Sequence, residues 1–178
     1  MVAWVALVVL EGFCVWWLIK VARSGAHEVP IALGFMVYIY ACLHVFGHFP
    51  PEFGDWESPI ALKVVGIALL VLAGAVFGWC MQLMKTLGAA EANWEDTREL
   101  VEVGPFGLVR HPVYASAAAA ALGVALCRLT PFSIALGAVA IILFYLGARF
   151  EDGYNSDKFG EVYDGYRQRT KLMVPLVL

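Results

Sequence analysis

Charge is what this sequence has little of. Asp, Glu, Lys and Arg make up 15% of its 178 residues, hydrophobic residues make up 61%, and the mean hydropathy is +0.75. A soluble domain of this size needs more charge to cover its surface, so the composition excludes an ordinary soluble globule in favour of an integral membrane protein. Basic excess is lacking too: the net charge is -3 at pH 7, which argues against nucleic acid as a partner. The four cysteines, Cys14, Cys42, Cys80 and Cys127, sit singly in apolar runs with no CxxC spacing. They read as small core hydrophobes and not as disulfides or metal ligands. No repeat, no low-complexity tract and no Gly-rich strand-to-helix turn is present, and a parallel nucleotide-binding sheet has no room.

Long apolar runs are abundant. Five of them reach the length needed to cross about 30 Å of hydrocarbon at about 1.5 Å per residue: Val2 to Ala22, Val29 to Phe49, Pro59 to Leu83, Pro112 to Leu129, and Pro131 to Phe150. The first lacks the basic start of a signal peptide, since Lys20 and Arg23 follow its apolar run, so it reads as a retained helix. With the amino terminus outside, Lys20, Arg23, Lys85, Arg98, Arg110, Arg149, Lys158, Arg167, Arg169 and Lys171 fall on the cytoplasmic side, against Lys63 and Arg128 opposite. That split sets the orientation. The external segment PPEFGDWES carries only acids, in keeping with it.

The expectation is therefore an all-α integral membrane protein with five transmembrane helices and its amino terminus outside. The longest polar stretch, Thr86 to Arg110, is a cytoplasmic connection with some helical tendency over Ala89 to Thr97. After Asp152 the helical period returns: Phe159, Val162, Tyr163 and Tyr166 share one face, and Lys158, Glu161, Asp164, Arg167 and Gln168 the other. This segment is expected to be an interfacial helix under the bundle, ended by Pro175. A plain membrane-surface anchor is the blander reading, and it leaves the adjacent acids unexplained.

Two ionisable clusters flank the last two spans. GPFGLVRHPVY, from Gly104 to Tyr114, breaks the chain at Gly104-Pro105 and starts a helix at Pro112. Arg110 and His111 beside unpaired helix-start N–H groups make a receptor for an anion. Glu151-Asp152 follows the fifth apolar run. Because the fourth and fifth spans form a hairpin through CRLTPF, both clusters emerge at its open end, on one side of the membrane. An acidic pair facing an Arg-His pair suits a zwitterion or a sulfonium, and charges at membrane helix ends are a functional-site hypothesis by default.

With these elements in this order, the chain resembles the isoprenylcysteine carboxyl methyltransferase and phospholipid methyltransferase superfamily of integral membrane methyltransferases. The shared signature is RHPxY, a hydrophobic hairpin, an acidic pair and F-G-x-x-Y-x-x-Y, here Arg110-His111-Pro112-Val113-Tyr114, Glu151-Asp152 and Phe159 to Tyr166, with LVEVGPF ahead. The resemblance covers about residues 83–175 and implies one membrane-embedded domain over 1–178. It implies S-adenosyl-L-methionine as the methyl donor, with Leu100, Val101, Gly104, Phe106, His111, Pro112, Tyr114, Glu151 and Asp152 around it. It further implies a catalytic set of His111, Glu151 and Arg110, and Arg149, Tyr163 and Tyr166 near the substrate. Phe106 stands where the family often has Tyr, and Asp152 where a second Glu is usual. Gly147 stands where isoprenylcysteine enzymes carry a substrate-binding Arg, a departure that weighs against that carboxylate. The implied acceptor is lipophilic, an isoprenylcysteine-like carboxylate or a lipid headgroup, with phosphatidylethanolamine N-methylation as the specific alternative.

Readings of other classes rest on other residues. His44 and His48, four apart on one face of the second span, have the spacing of haem or metal ligands, and no metal site is expected from them. Glu11 and Lys63 are the ionisable pair a transport path would use. A non-catalytic relative that keeps the fold is the remaining alternative.

Overall fold

The structure, a computed structural model, describes residues 12, 16, 19, 28–47, 57–89 and 97–175. It contains α1 (Val29–Gly47), α2 (Ile60–Leu87), a 3-10 turn (Gly104–Gly107), α3 (Pro112–Cys127), α4 (Pro131–Phe159) and α5 (Glu161–Arg169). Among the described residues there is no strand beyond one parallel bridge, Val109 to Lys171. Of the first expected span, only Gly12, Trp16 and Ile19 are described; they are helical and exposed. The rest of Val2 to Ala22 and most of PPEFGDWES lie outside the described residues.

α1, α2 and α4 are each long and apolar enough to cross a membrane. α3 is equally apolar but has only 16 residues, about 24 Å. Prolines at Pro112 and Pro131 start α3 and α4, where a missing N–H costs nothing. Those starts fall where the sequence places them. The end of α4 does not: it continues nine residues past Phe150 to Phe159. The apolar run ends at Phe150, but Glu151 to Lys158 holds no proline and the helix tolerates Gly153, so hydrophobicity and helicity stop at different residues.

α3 is the centre of the bundle, with α2 on one side, α4 on the other, and α1 against α4. Its alanine-rich sequence, PVYASAAAAALGVALC, allows close approach. At the α2–α3 crossing a Cβ on Gly66 would stand 2.6 Å from the Gly123 carbonyl oxygen, and one on Gly123 2.8 Å from that of Gly66. The α1–α4 contact centres on fully buried Phe144, which Phe35 meets edge-on at 5.1 Å.

The closed end of the α3–α4 hairpin is tied by neutral groups. Thr130 and Ser133 form a reciprocal cap at the start of α4. His44 of α1, wholly buried, places Nε2 3.1 Å from Thr130 Oγ1 and its ring 4.8 Å from that of Phe132. The Leu129 amide donates to Ser58 at 2.8 Å.

Candidate functional site

Glu151 and Asp152 lie about 30 Å along α4 from Pro131. That is roughly the hydrocarbon thickness, so they stand where a spanning helix reaches the headgroup layer. Trp79 on α2 and Phe150 and Tyr154 on α4 are exposed near this level, as an interfacial aromatic belt requires. Both acids are inside the helix, not at its end, and consecutive helical residues diverge by about 100°. The two carboxylates therefore serve different neighbours.

Glu151, half-buried, accepts a hydrogen bond from the Tyr114 hydroxyl. Tyr114 sits in the first turn of α3 with its ring stacked on His111, centroids 5.8 Å apart and planes 22° apart. Asp152 is only 3% exposed and lies among donors. Its Oδ1 receives Arg110 Nε and the Tyr163 hydroxyl, both at 2.8 Å, and lies 3.5 Å from His111 Nε2. Its Oδ2 faces Arg110 Nη2 and Arg167 Nε, each at 3.4 Å. A carboxylate so enclosed is stable only as a set. Removing Arg110, the buried partner with two nitrogens on it, leaves that charge poorly compensated, at a cost of several kcal/mol.

The chain beyond α4 closes this arrangement. Gly160 turns it with φ +58, a conformation open to glycine at little cost, and α5 starts at once. On this nine-residue helix Tyr163 and Tyr166 face inward, and the Tyr166 hydroxyl donates to the Phe106 carbonyl at 2.6 Å. Burial, then the hydrogen bond and charge of Asp152, push the Tyr163 phenol above its ordinary pKa; burial, then the charge of Glu102, do so for Tyr166. Both phenols are thus protonated donors at physiological pH. Val162, expected on the same face, is instead exposed, because so short a helix buries only the narrow i, i+3 stripe. α5 ends at Arg169, and an extended strap follows well before Pro175. The Arg110 amide donates to the Lys171 carbonyl at 2.8 Å and that of His111 to Leu172 at 2.9 Å, while Arg110 Nη1 donates to the carbonyls of Arg167 and Thr170. The two amides that lead into α3 are thus taken by the strap.

The structure thus brings Arg110, His111, Tyr114, Glu151, Asp152, Tyr163 and Tyr166 to one end of the hairpin. The Tyr163 and Tyr166 hydroxyls, expected near the substrate, donate to Asp152 and to the Phe106 carbonyl. Arg149 is exposed on α4, about 200° around the helix from Glu151, and is not brought to the cluster. Val101 is buried, Leu100 half-buried, and Gly104 opens the 3-10 turn at φ +61. Phe106 is part of the apolar core, which suits a ring without a hydroxyl. Pro112 is the first residue of α3. Gly147 faces Ile31 so closely that a Cβ would stand 2.6 Å from Ile31 Cγ1, so α1 occupies the space an arginine would need. Arg167 and Thr170 were not singled out from the sequence as site residues. Arg167, expected on the face opposite Tyr163, is four residues after it and so only about 40° around the helix, and both reach Asp152.

An apolar groove of about 580 Å³ runs between α2 and α3. Leu72, Val76 and Trp79 form one wall, Ala115 and Ala119 the other, and the Gly104-Pro105 turn closes its end. Val109 and Pro112, which flank Arg110 and His111 in the chain, line it as well. Its size is that of a small-molecule or single-chain site.

The residues of the other readings are placed elsewhere. His44 is engaged at the closed end, and His48 and Glu11 lie outside the described residues. Among the described residues no cluster of His, Cys, Asp or Glu is arranged to hold a metal. Lys63 is paired with Glu57 at 3.2 Å near the start of α2.

The profile of the phospholipid methyltransferase family matches residues 62–162, from the first turn of α2 to the start of α5. The chain belongs to that family. No curated protein and no solved structure gives a significant match. The matched span holds both the Arg110–Tyr114 turn and the acidic pair, and together with the three long apolar helices it makes this an integral membrane protein of a methyltransferase family.

Proposed function

We propose that this protein transfers a methyl group from S-adenosylmethionine to a membrane lipid, with the lipid headgroup as acceptor. The observation that carries this reading is the convergence of Glu151, Tyr114 and His111 at the open end of the α3–α4 hairpin, in a chain of the phospholipid methyltransferase family whose α2 and α3 also frame an apolar groove. The donor supplies an electrophilic methyl on a sulfonium. Glu151 has the charge to hold its cationic part, His111 and Tyr114 offer stacked ring faces, and Leu100 and Val101 offer backbone groups nearby. The packing of Gly147 against Ile31 favours a headgroup over an isoprenylcysteine carboxylate, since no arginine stands there to meet a carboxylate.

Methyl transfer asks the protein mainly for alignment. Holding two reactants in line contributes several kcal/mol, about 7 or more in ideal geometry. A groove that lets an acyl chain enter sideways between α2 and α3 brings its headgroup to the level of His111. An amine acceptor must shed a proton before it attacks, and His111 or Glu151 takes it, directly or through water. The reaction also requires that competing water be kept from the site. The ten-to-two division of Lys and Arg favours five spans, an external amino terminus and a site facing the cytoplasm, within one domain over residues 1–178.

Lipid profiling of cells with and without the protein tests this. A lipid class gaining one or more methyl groups only when the protein is present is the expected result, and an unchanged lipid profile rejects the reading.

A further inference from the structure

The acidic pair is expected from its family pattern to act as a unit, yet its two members differ in what they have left to offer a ligand. A carboxylate has about four lone-pair sites. Asp152 meets five donor atoms from four residues: Arg110 by two nitrogens, His111, Tyr163 and Arg167. It is 3% exposed, and Arg110 grips it with a two-nitrogen fork. These donors come from two places in the chain: the turn before α3, and α5. Glu151, one residue earlier, is half-buried and points toward Tyr114.

We propose that Asp152 is a positioning residue and not a cofactor ligand: its carboxylate locks the Arg110-His111 turn to α5 and the 170–172 strap, and thereby sets where His111 stands. The lock has two layers. Side chains converge on Asp152, and backbone amides of Arg110 and His111 then dock on the carbonyls of Lys171 and Leu172. His111 touches both layers, through Nε2 facing Asp152 and through its amide. Releasing the carboxylate frees the strap, and with it the residue that lines the donor pocket. This inference deepens the methyltransferase reading by dividing the work of the pair: Glu151 meets the donor, and Asp152 holds the wall.

The test uses the purified full chain in detergent, first without any nucleoside. Hydrogen exchange is followed in peptides covering 105–113 and 163–173. Asp152→Asn is expected to raise exchange there about tenfold or more, and Tyr163→Phe, which keeps the buried charge, about threefold, by local opening of the strap. Asp152→Glu restores protection to within about threefold of the parent chain, while Glu151→Gln leaves it unchanged, because Glu151 makes no contact with the strap. Affinity is then measured for S-adenosylhomocysteine and for methylthioadenosine, which lacks the amino-acid part. A lock predicts that Asp152→Asn weakens both by the same factor and that Asp152→Glu rescues both. Unchanged exchange in Asp152→Asn and Tyr163→Phe overturns the proposal, as does weakening confined to S-adenosylhomocysteine, the mark of a direct contact with its ammonium. Should the parent chain bind neither nucleoside, the methyltransferase reading fails, and the exchange data still decide the lock.

Discussion

The two ends of the α3–α4 hairpin are both tied by buried polar groups, and they are tied in different currencies. At the closed end Thr130 meets Ser133 and His44, and Ser58 receives the Leu129 amide, without a carboxylate or a guanidinium side chain at the centre. At the open end a buried carboxylate is surrounded by two arginines, a histidine and a phenol. Neutral networks are the cheaper way to fasten helices in an apolar medium, because ionised groups bring a desolvation cost of several kcal/mol each. A protein that needed only fastening at the open end had the closed end's solution available. The charges there sit at the end where the proposed methyl transfer is placed.

This contrast can be broken from either side. The largest effect is expected at Glu151: Glu151→Gln lowers methyl transfer by about a hundredfold, some 2.7 kcal/mol, with thermal stability close to that of the parent. Loss of stability in step with activity would make Glu151 a structural group like Thr130. Next, Ala119→Trp, which fills the groove far from the charges, raises KM for the lipid acceptor about tenfold while leaving donor affinity within about twofold, since it removes only acceptor binding. Equal weakening of donor and acceptor would deny the separation of groove and cluster. At the closed end Thr130→Val removes a helix cap and the partner of His44, and chemical denaturation should show a loss of about 1 kcal/mol with activity per folded molecule unchanged. Smallest is Arg169→Gln: its exposed pair with Glu102, at 3.0 Å, contributes no more than about 0.5 kcal/mol, so the midpoint of unfolding barely moves.

Helix starts were legible in the sequence because proline announces them chemically, and Pro112 and Pro131 head α3 and α4. The end of α4 was not legible from hydropathy, since leaving hydrocarbon and leaving the helix are separate events. That one difference changed the reading of the acids: at a helix end Glu151 and Asp152 share a direction, but within α4 they diverge. The convergence of the RHPVY turn with the acidic pair followed from hairpin topology and needed no coordinates. The partners of each carboxylate did need them, because Arg110, Tyr163 and Arg167 are brought together by the Gly160 turn, whose angle the residue order does not encode. The strap's docking through the carbonyls of Lys171 and Leu172 was equally hidden, since backbone acceptors carry no mark of residue type.

The most direct measurement places the purified protein in liposomes of total membrane lipid with S-adenosylmethionine labelled at its methyl group, and counts label in the organic extract. Time-dependent incorporation that requires the protein and vanishes with Glu151→Gln is the result expected. Incorporation absent across all lipid classes, or undiminished when Glu151 is replaced, would contradict a methyl-transfer site at the open end of the hairpin.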